Sequence, residues 1–205
     1  MAVTELALLR LKTQDASSST KSTLLQAQKL QTEYSGHQVT YLHQVEDPAS
    51  FYLLGGWESV EKHTGGGQWI SSETNQKLLA EMKDSVDVDW VFHLDVDPST
   101  SKISLDAPVL AMSRLFVDAS NKDEFDAVFK AGEADLGAYT APHSYCGAWR
   151  IDKEGEDEEF VLFTGWDKVE DHLAFRESDA SKGFRNLHTL MKGAEAKHVY
   201  VEKWV

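Results

Sequence analysis

Two hydrophobic periods alternate along the chain, and they pass through the same cycle twice. Glu5 to Lys12 is mostly apolar and predicts a first strand buried on both faces. A polar stretch from Asp15 to Thr20 carries helix-capping residues. From Thr23 to Tyr34 the pattern sets Leu24, Leu25, Leu30 and Tyr34 on one helical side, and Ser35-Gly36 ends that helix. His37 to Glu46 alternates as a strand does. Asp47-Pro48-Ala49-Ser50 has turn chemistry, so Phe51 to Gly56 is its hairpin partner. A helical region follows from Glu58 to about Ser85. Gly65-Gly66-Gly67 breaks it, because a helix accommodates three glycines only at a cost, and its second piece covers Glu73 to Lys83. Val88 to Val96 is a fourth strand.

Asp97 to Pro108 reads as a linker, and the cycle restarts. Val109 to Val117 is a strand. Ser120 to Glu124 opens a helix with Phe125, Val128 and Phe129 as its apolar stripe, continued around Glu133 to Tyr139. His143 to Ile151 and Glu159 to Gly165 form a hairpin around the charged loop 153–158. Asp167 to Met191 is helical with a break near Ser178 to Gly183, and Ala196 to Val205 closes the chain. Strand, helix, strand, strand, helix, strand is the ferredoxin-like order. The expected architecture is therefore α+β: two ferredoxin-like βαββαβ units, residues 1–97 and 108–205, joined by 98–107. A sheet with both helices on one face leaves the other face bare. Packing the two sheets face to face would make a pseudo-dimeric α+β barrel from one chain.

The duplication is written most densely at the third strand's end. Gly56, Trp57, Val60, Glu61 and His63 recur as Gly165, Trp166, Val169, Glu170 and His172, and Glu58 is matched by Asp167. Glu58 and Asp167 are expected in the first helical turn, where the helix dipole favours an acid. Each tryptophan is either a packing anchor between helix and sheet or the wall of a pocket.

Composition narrows the partners. The 205 residues carry 34 acids against 20 bases, a formal net charge of −14. That excludes binding to nucleic acid or an anionic membrane through bulk electrostatics. Cys146 stands alone, so no internal disulfide or thiolate metal cluster forms. The N-terminal residues lack a basic segment followed by a long apolar one, and the expected setting is cytoplasmic. A homodimer is left open.

Eight histidines are present and none falls in metal-ligand spacing. His37 and His43 lie about 20 Å apart along one strand at ~3.3 Å per residue. No metal is expected. On the last long helix Val169, Leu173, Phe184, Leu187 and Met191 predict a shared side, with His172 at one edge and His188 at the other. Arg10 and Arg114 read as equivalent positions in the first strands, each needing an acidic partner or an anionic ligand. Period two puts Tyr41 with His43, and His143 with Tyr145 and Trp149, as candidate walls of an aromatic pocket.

Tandem ferredoxin-like units with Gly-Trp-acid and a following histidine resemble the dimeric α+β barrel superfamily. Within it, the antibiotic biosynthesis monooxygenase domain is similar in Trp57 and Trp166, in His63 and His172, and in Ser178 to Phe184. The resemblance implies a cofactor-free oxygenase acting on an aromatic or polyketide-like small molecule. Its alternatives are a non-catalytic binding module and a haem-binding protein using His188. Under the first reading His172 is the base, Arg114 the anion stabiliser and Trp166 a wall. Tyr145, Trp149 and His188 contact the substrate, and Trp57, His63 and Arg10 do so in the first half. The second half is the expected seat of the site, because the first has three glycines in the matching helix and no counterpart of His188.

Overall fold

The computed structural model describes residues 1–184 and 186–204. The chain is α+β and divides into two compact units. One comprises Met1–Ser101 together with the chain's end from Val201, and the other Lys102–Tyr200.

In the first unit, β1 (Val3–Leu11), α1 (Ser18–Ser35), β2 (Thr40–Gln44), β3 (Ser50–Trp57), α2 (Val60–Thr64), α3 (Glu73–Met82) and β4 (Val86–Leu94) follow one another. The strands lie side by side as β4-β1-β3-β2, with every resolved pairing antiparallel. Ser17 caps α1 by accepting from the Thr20 amide, and Gly36 ends it at φ 74°, a left-handed conformation that glycine adopts without strain. The glycine run separates α2 from a 3-10 turn at Trp69–Ser71, and Ser72 then caps α3. Alternation sets Glu5, Ala7 and Leu9 of β1 toward the helices, and Leu6 on the opposite face is fully buried as well. The chain's end belongs to this unit: Trp204 stacks on Tyr41, ring centres 5.7 Å apart, and Glu202 pairs with His43 at 3.2 Å.

The second unit repeats the order with β5 (Val109–Val117), α4 (Lys122–Thr140), β6 (Tyr145–Trp149), β7 (Glu158–Trp166), α5 (Val169–Glu177), α6 (Leu187–Leu190) and β8 (Met191–Val201). Its strand order is β8-β5-β7-β6.

The motif glycines are fixed by close approach. A Cβ on Gly56 would stand 2.5 Å from Pro98 Cγ and 2.9 Å from His37 Cβ. One on Gly165 would stand 2.7 Å from His143 Cβ and 2.8 Å from Ser104 Cβ. In each unit the segment after the fourth strand or before the first crosses over that glycine, leaving no room for a side chain.

Four sequence expectations need correction. Glu58 and Asp167 precede their helices, which begin at Val60 and Val169; the first-turn acids are Glu61 in one and Glu170 and Asp171 in the other. The region 167–191 is not one helical stripe: a 3-10 segment, Asp179–Phe184, resets the phase and Met191 opens β8. Within α5 the buried face runs through His172 and Phe175, so Leu173 is 45% exposed and His172 is buried rather than set at an edge. Arg10 and Arg114 are not equivalent. Val3 faces Trp57 as Val109 faces Trp166, and from there Arg10 falls opposite Ser50 but Arg114 opposite Val161.

Candidate functional site

Glu5 stands inside the apolar run of β1, so strand alternation carries a carboxylate into the core between sheet and helices. Its Oε2 accepts two hydrogen bonds, from Trp57 Nε1 and from Gln31 Nε2, both 2.7 Å. Gly55 keeps the space open, since a Cβ there would lie 3.1 Å from both Gln31 Nε2 and Glu5 Oε2. His93 sits directly across from Glu5 on β4. His63, on α2, lies flat on Trp57 with ring centres 4.3 Å apart and planes 6° from parallel. Its Nδ1 is 2.8 Å from His93 Nε2, and its Nε2 is 3.8 Å from Glu5 Oε1. Burial raises the Glu5 pKa from 4.5 to about 7, against the Trp57 hydrogen bond, the charge of His93 and the Gln31 hydrogen bond, which all lower it.

This cluster closes one wall of a cavity of about 300 Å³ within the first unit. Leu24 and Ala27 of α1, Leu79 and Met82 of α3, and Val88 and Val91 of β4 are among its apolar walls. Tyr41 also lines it; its hydroxyl donates to the Leu24 carbonyl at 3.1 Å, and burial pushes its pKa far above that of an ordinary phenol.

The second unit keeps part of this arrangement. His172 Nδ1 is 2.9 Å from His198 Nε2, and Trp166 lies beside His172 at 5.4 Å. The residue facing His198 is Ala111, where the first unit has Glu5 facing His93. Tyr139 meets Trp166 edge-on at 6.1 Å as Tyr34 meets Trp57 at 6.2 Å. Three residues before each tyrosine stand Leu136 and Gln31 respectively. Leu136, Ala111, Trp166 and Phe175 form an apolar cluster. With no carboxylate available, Trp166 Nε1 donates to Thr164 Oγ1 at 2.7 Å, and Thr164 occupies the place of Gly55. A cavity of about 380 Å³ lies beside His172, lined by Phe129, Phe184, His188 and Glu195 among others.

The predicted site residues scatter accordingly. Trp57 stacks on His63, which lines the first-unit cavity, and Trp166 and His172 meet in the second unit. Arg10 is 45% exposed at its side chain and is held by Asp47 at 2.9 Å and Asp89 at 3.1 Å. Arg114 is paired along the sheet with Glu159 and Glu195. Trp149 donates to Asp126 at 3.0 Å under the Lys122 ammonium, in a different apolar cluster from Trp166. Tyr145 is half-buried against Ala111 and Trp166. His188 is exposed on α6 at the edge of its cavity. Sequence reasoning missed Glu5, Gln31 and His93. Two signals were present: an acid within an apolar strand, and histidines recurring in both fourth strands as His93 and His198.

Among the described residues no group of three or more His, Cys, Asp or Glu could hold a metal ion, and no helix is long and apolar enough to cross a membrane. No family model matches the sequence, and no curated protein matches it. Solved structures do. A candidate monooxygenase from Fusobacterium nucleatum superposes with a TM-score of 0.64 at 14% identity, covering 98% of this chain and 93% of the other. An anthrone oxidase-like protein gives 0.66 at 12% identity, covering 98% and 92%. A mutant chlorite dismutase from Candidatus Nitrospira defluvii gives 0.61 at 12% identity, covering 99% and 92%. At such identities the likeness establishes the fold alone.

Proposed function

We propose that the first unit is a general-base site that oxygenates an electron-rich aromatic molecule without metal or flavin, in the manner of the antibiotic biosynthesis monooxygenases. The observation that carries this reading is the buried Glu5 carboxylate at the wall of an apolar cavity, fixed by Trp57 and Gln31. A carboxylate held in such surroundings is a costly feature that packing alone does not call for. The resemblance to structures described as monooxygenases and anthrone oxidase-like supports it.

The chemistry follows from the base. Glu5 removes a proton from a phenolic O–H or from a CH₂ flanked by aromatic and carbonyl groups. The resulting anion gives an electron to dioxygen, and the two radicals combine into a carbon-bound peroxide. Loss of water then leaves a carbonyl: one dioxygen atom stays on carbon, the other leaves as water with the two hydrogens from that carbon. A Glu5 pKa of about 7 lets one residue take the proton as carboxylate and return it to the peroxide as acid. His63 and His93, hydrogen-bonded behind it, offer the proton a further place. This moves the base from His172 to Glu5; Trp57 stands behind it as a hydrogen-bond donor, and the tryptophan at the cavity wall is Trp69 and not Trp166. No role falls to Arg114, whose guanidinium is taken by acids of its own sheet.

The chlorite dismutase likeness raises haem. The first-unit cavity does not fit it: His63 is the imidazole at its wall, and that ring is stacked on Trp57 with one nitrogen on His93 and the other facing Glu5. Haem held by His188 at the second-unit cavity is the remaining alternative, and a Soret band in purified protein would establish it.

The test is oxygen uptake with a panel of hydroxynaphthalenes and anthrones. Glu5→Gln should lower the rate about 10²–10⁴-fold, the range for a general base, and His172→Ala should leave it unchanged. Uptake that survives Glu5→Gln would overturn the assignment. Saturable binding with no uptake by any variant would instead establish a binding module.

A further inference from the structure

We infer that the first-unit cavity selects an uncharged aromatic ligand, one that offers a hydroxyl or acidic C–H and carries no carboxylate, sulfate or phosphate. The inference rests on the general-base reading of that cavity and names its substrate class.

Three observations carry it. First, none of the residues lining the cavity is lysine or arginine, and the ionisable groups among them are Glu5, His63 and Tyr41. Arg10, the cation nearest in sequence, lies on the other side of β1, exposed and bound to Asp47 and Asp89. An anionic ligand would sit beside the Glu5 carboxylate with no cation to offset the loss of its hydration. Second, three donors of the wall are turned onto the protein. Tyr41 gives its hydroxyl to the Leu24 carbonyl, Gln31 its amide to Glu5, and Asn75 its amide to the Ile70 carbonyl at 3.2 Å. What these residues and Glu5 have left for a ligand is chiefly acceptor oxygen, which suits O–H donors and not oxyanions. Third, the volume of about 300 Å³ is twice the ~150 Å³ of an apolar cavity that takes up benzene. That is room for two or three fused rings between walls of Leu, Val and Met.

The groups facing Glu5 come from every element around it: Gln31 on α1, Tyr41 on β2, Trp57 on β3, His63 on α2 and His93 on β4. Of these only the two imidazoles can become cationic. They are bonded to one another, and His63 faces the carboxylate already there.

The test is equilibrium binding to the full chain, followed by calorimetry at a pH well above the Glu5 transition. The probes are 2-naphthol, naphthalene and 2-naphthoate. We expect 2-naphthol to bind about 10-fold more tightly than naphthalene and about 100-fold more tightly than 2-naphthoate. Glu5→Gln, which keeps an acceptor and removes the charge, should restore most of the lost 2-naphthoate affinity. Equal affinity for 2-naphthol and 2-naphthoate, an unchanged ratio in Glu5→Gln, or no saturable binding of any probe would overturn the inference. Discrimination without oxygen uptake by any ligand would overturn the oxygenase reading alone. Uptake supported best by carboxylated substrates would overturn the selectivity alone.

Discussion

Replacing Glu5 with glutamine should stabilise the protein at neutral and alkaline pH, by an amount the structure allows to be worked out. The carboxylate is fully buried, and its pKa rises from 4.5 to about 7, with burial as the largest cause. Below 4.5 the folded and unfolded chains both hold the proton, and nothing is lost. As pH rises toward 7 the unfolded chain releases its proton while the folded chain keeps it, so the unfolded state gains. The loss is complete once pH has passed about 7. At ~1.4 kcal/mol for each pH unit between the two values, the cost is about 3 kcal/mol. Glutamine occupies nearly the same volume, and its oxygen can still accept from Trp57 and Gln31, so the variant escapes most of that cost. Urea denaturation of both proteins at a series of pH values measures the difference directly, and subtracting the curves removes groups common to both. Glu5→Gln should gain on wild type steadily between 4.5 and 7 and keep a constant lead above. A difference that is flat with pH would refute the claim that Glu5 is buried at a cost.

Two other substitutions test the surroundings of that carboxylate and the motif itself. Trp57→Phe removes a hydrogen bond that stabilises the charged form, so the midpoint of the Glu5-dependent stability change should move up by about 1 pH unit; an unmoved midpoint in the same urea series would show that the indole N–H does not act on Glu5. Gly56→Ala forces a methyl against Pro98 and His37 and should destabilise by about 1–3 kcal/mol, read as a lower urea midpoint; an unchanged midpoint would mean that the crossing segment yields freely.

How much of this was legible in sequence depended on period and spacing. β5 was bounded correctly because Pro108 stands before Val109 and a polar turn follows Val117. Gly36 ended α1 as its conformational freedom requires. The helical breaks fell where glycine and small polar residues cluster. Failures came where the argument assumed a phase to persist. The helical stripe over 167–191 ignored the 3-10 segment that ends α5, and within α5 the inward face runs through His172 and Phe175, which leaves Leu173 exposed. Arg10 and Arg114 each stand between apolar neighbours in a first strand, and only the strand register shows the two to be out of step. Glu5 escaped notice because an acid near a strand's start reads as an exposed terminus. Its burial depends on Gly55, Gln31 and Trp57, which are distant in sequence and converge only in the fold.

That convergence changes what the repeat itself says. Glycine, tryptophan and histidine recur in both halves because both halves must seat a helix against a sheet at the same place. Trp166 and His172 fulfil that need with Thr164 in place of a carboxylate. What both halves share is accounted for by packing and does not by itself mark chemistry. The residues that differ can. Glu5, Gln31 and Gly55 stand where the second unit has Ala111, Leu136 and Thr164, and the three changes are one event in physical terms. A buried acid needs a donor beside it and space above it; once the acid is absent, an apolar side chain and a hydroxyl fill the site at lower cost. The second unit lacks the whole set, and the first unit holds all three in place against the cost of burying a carboxylate.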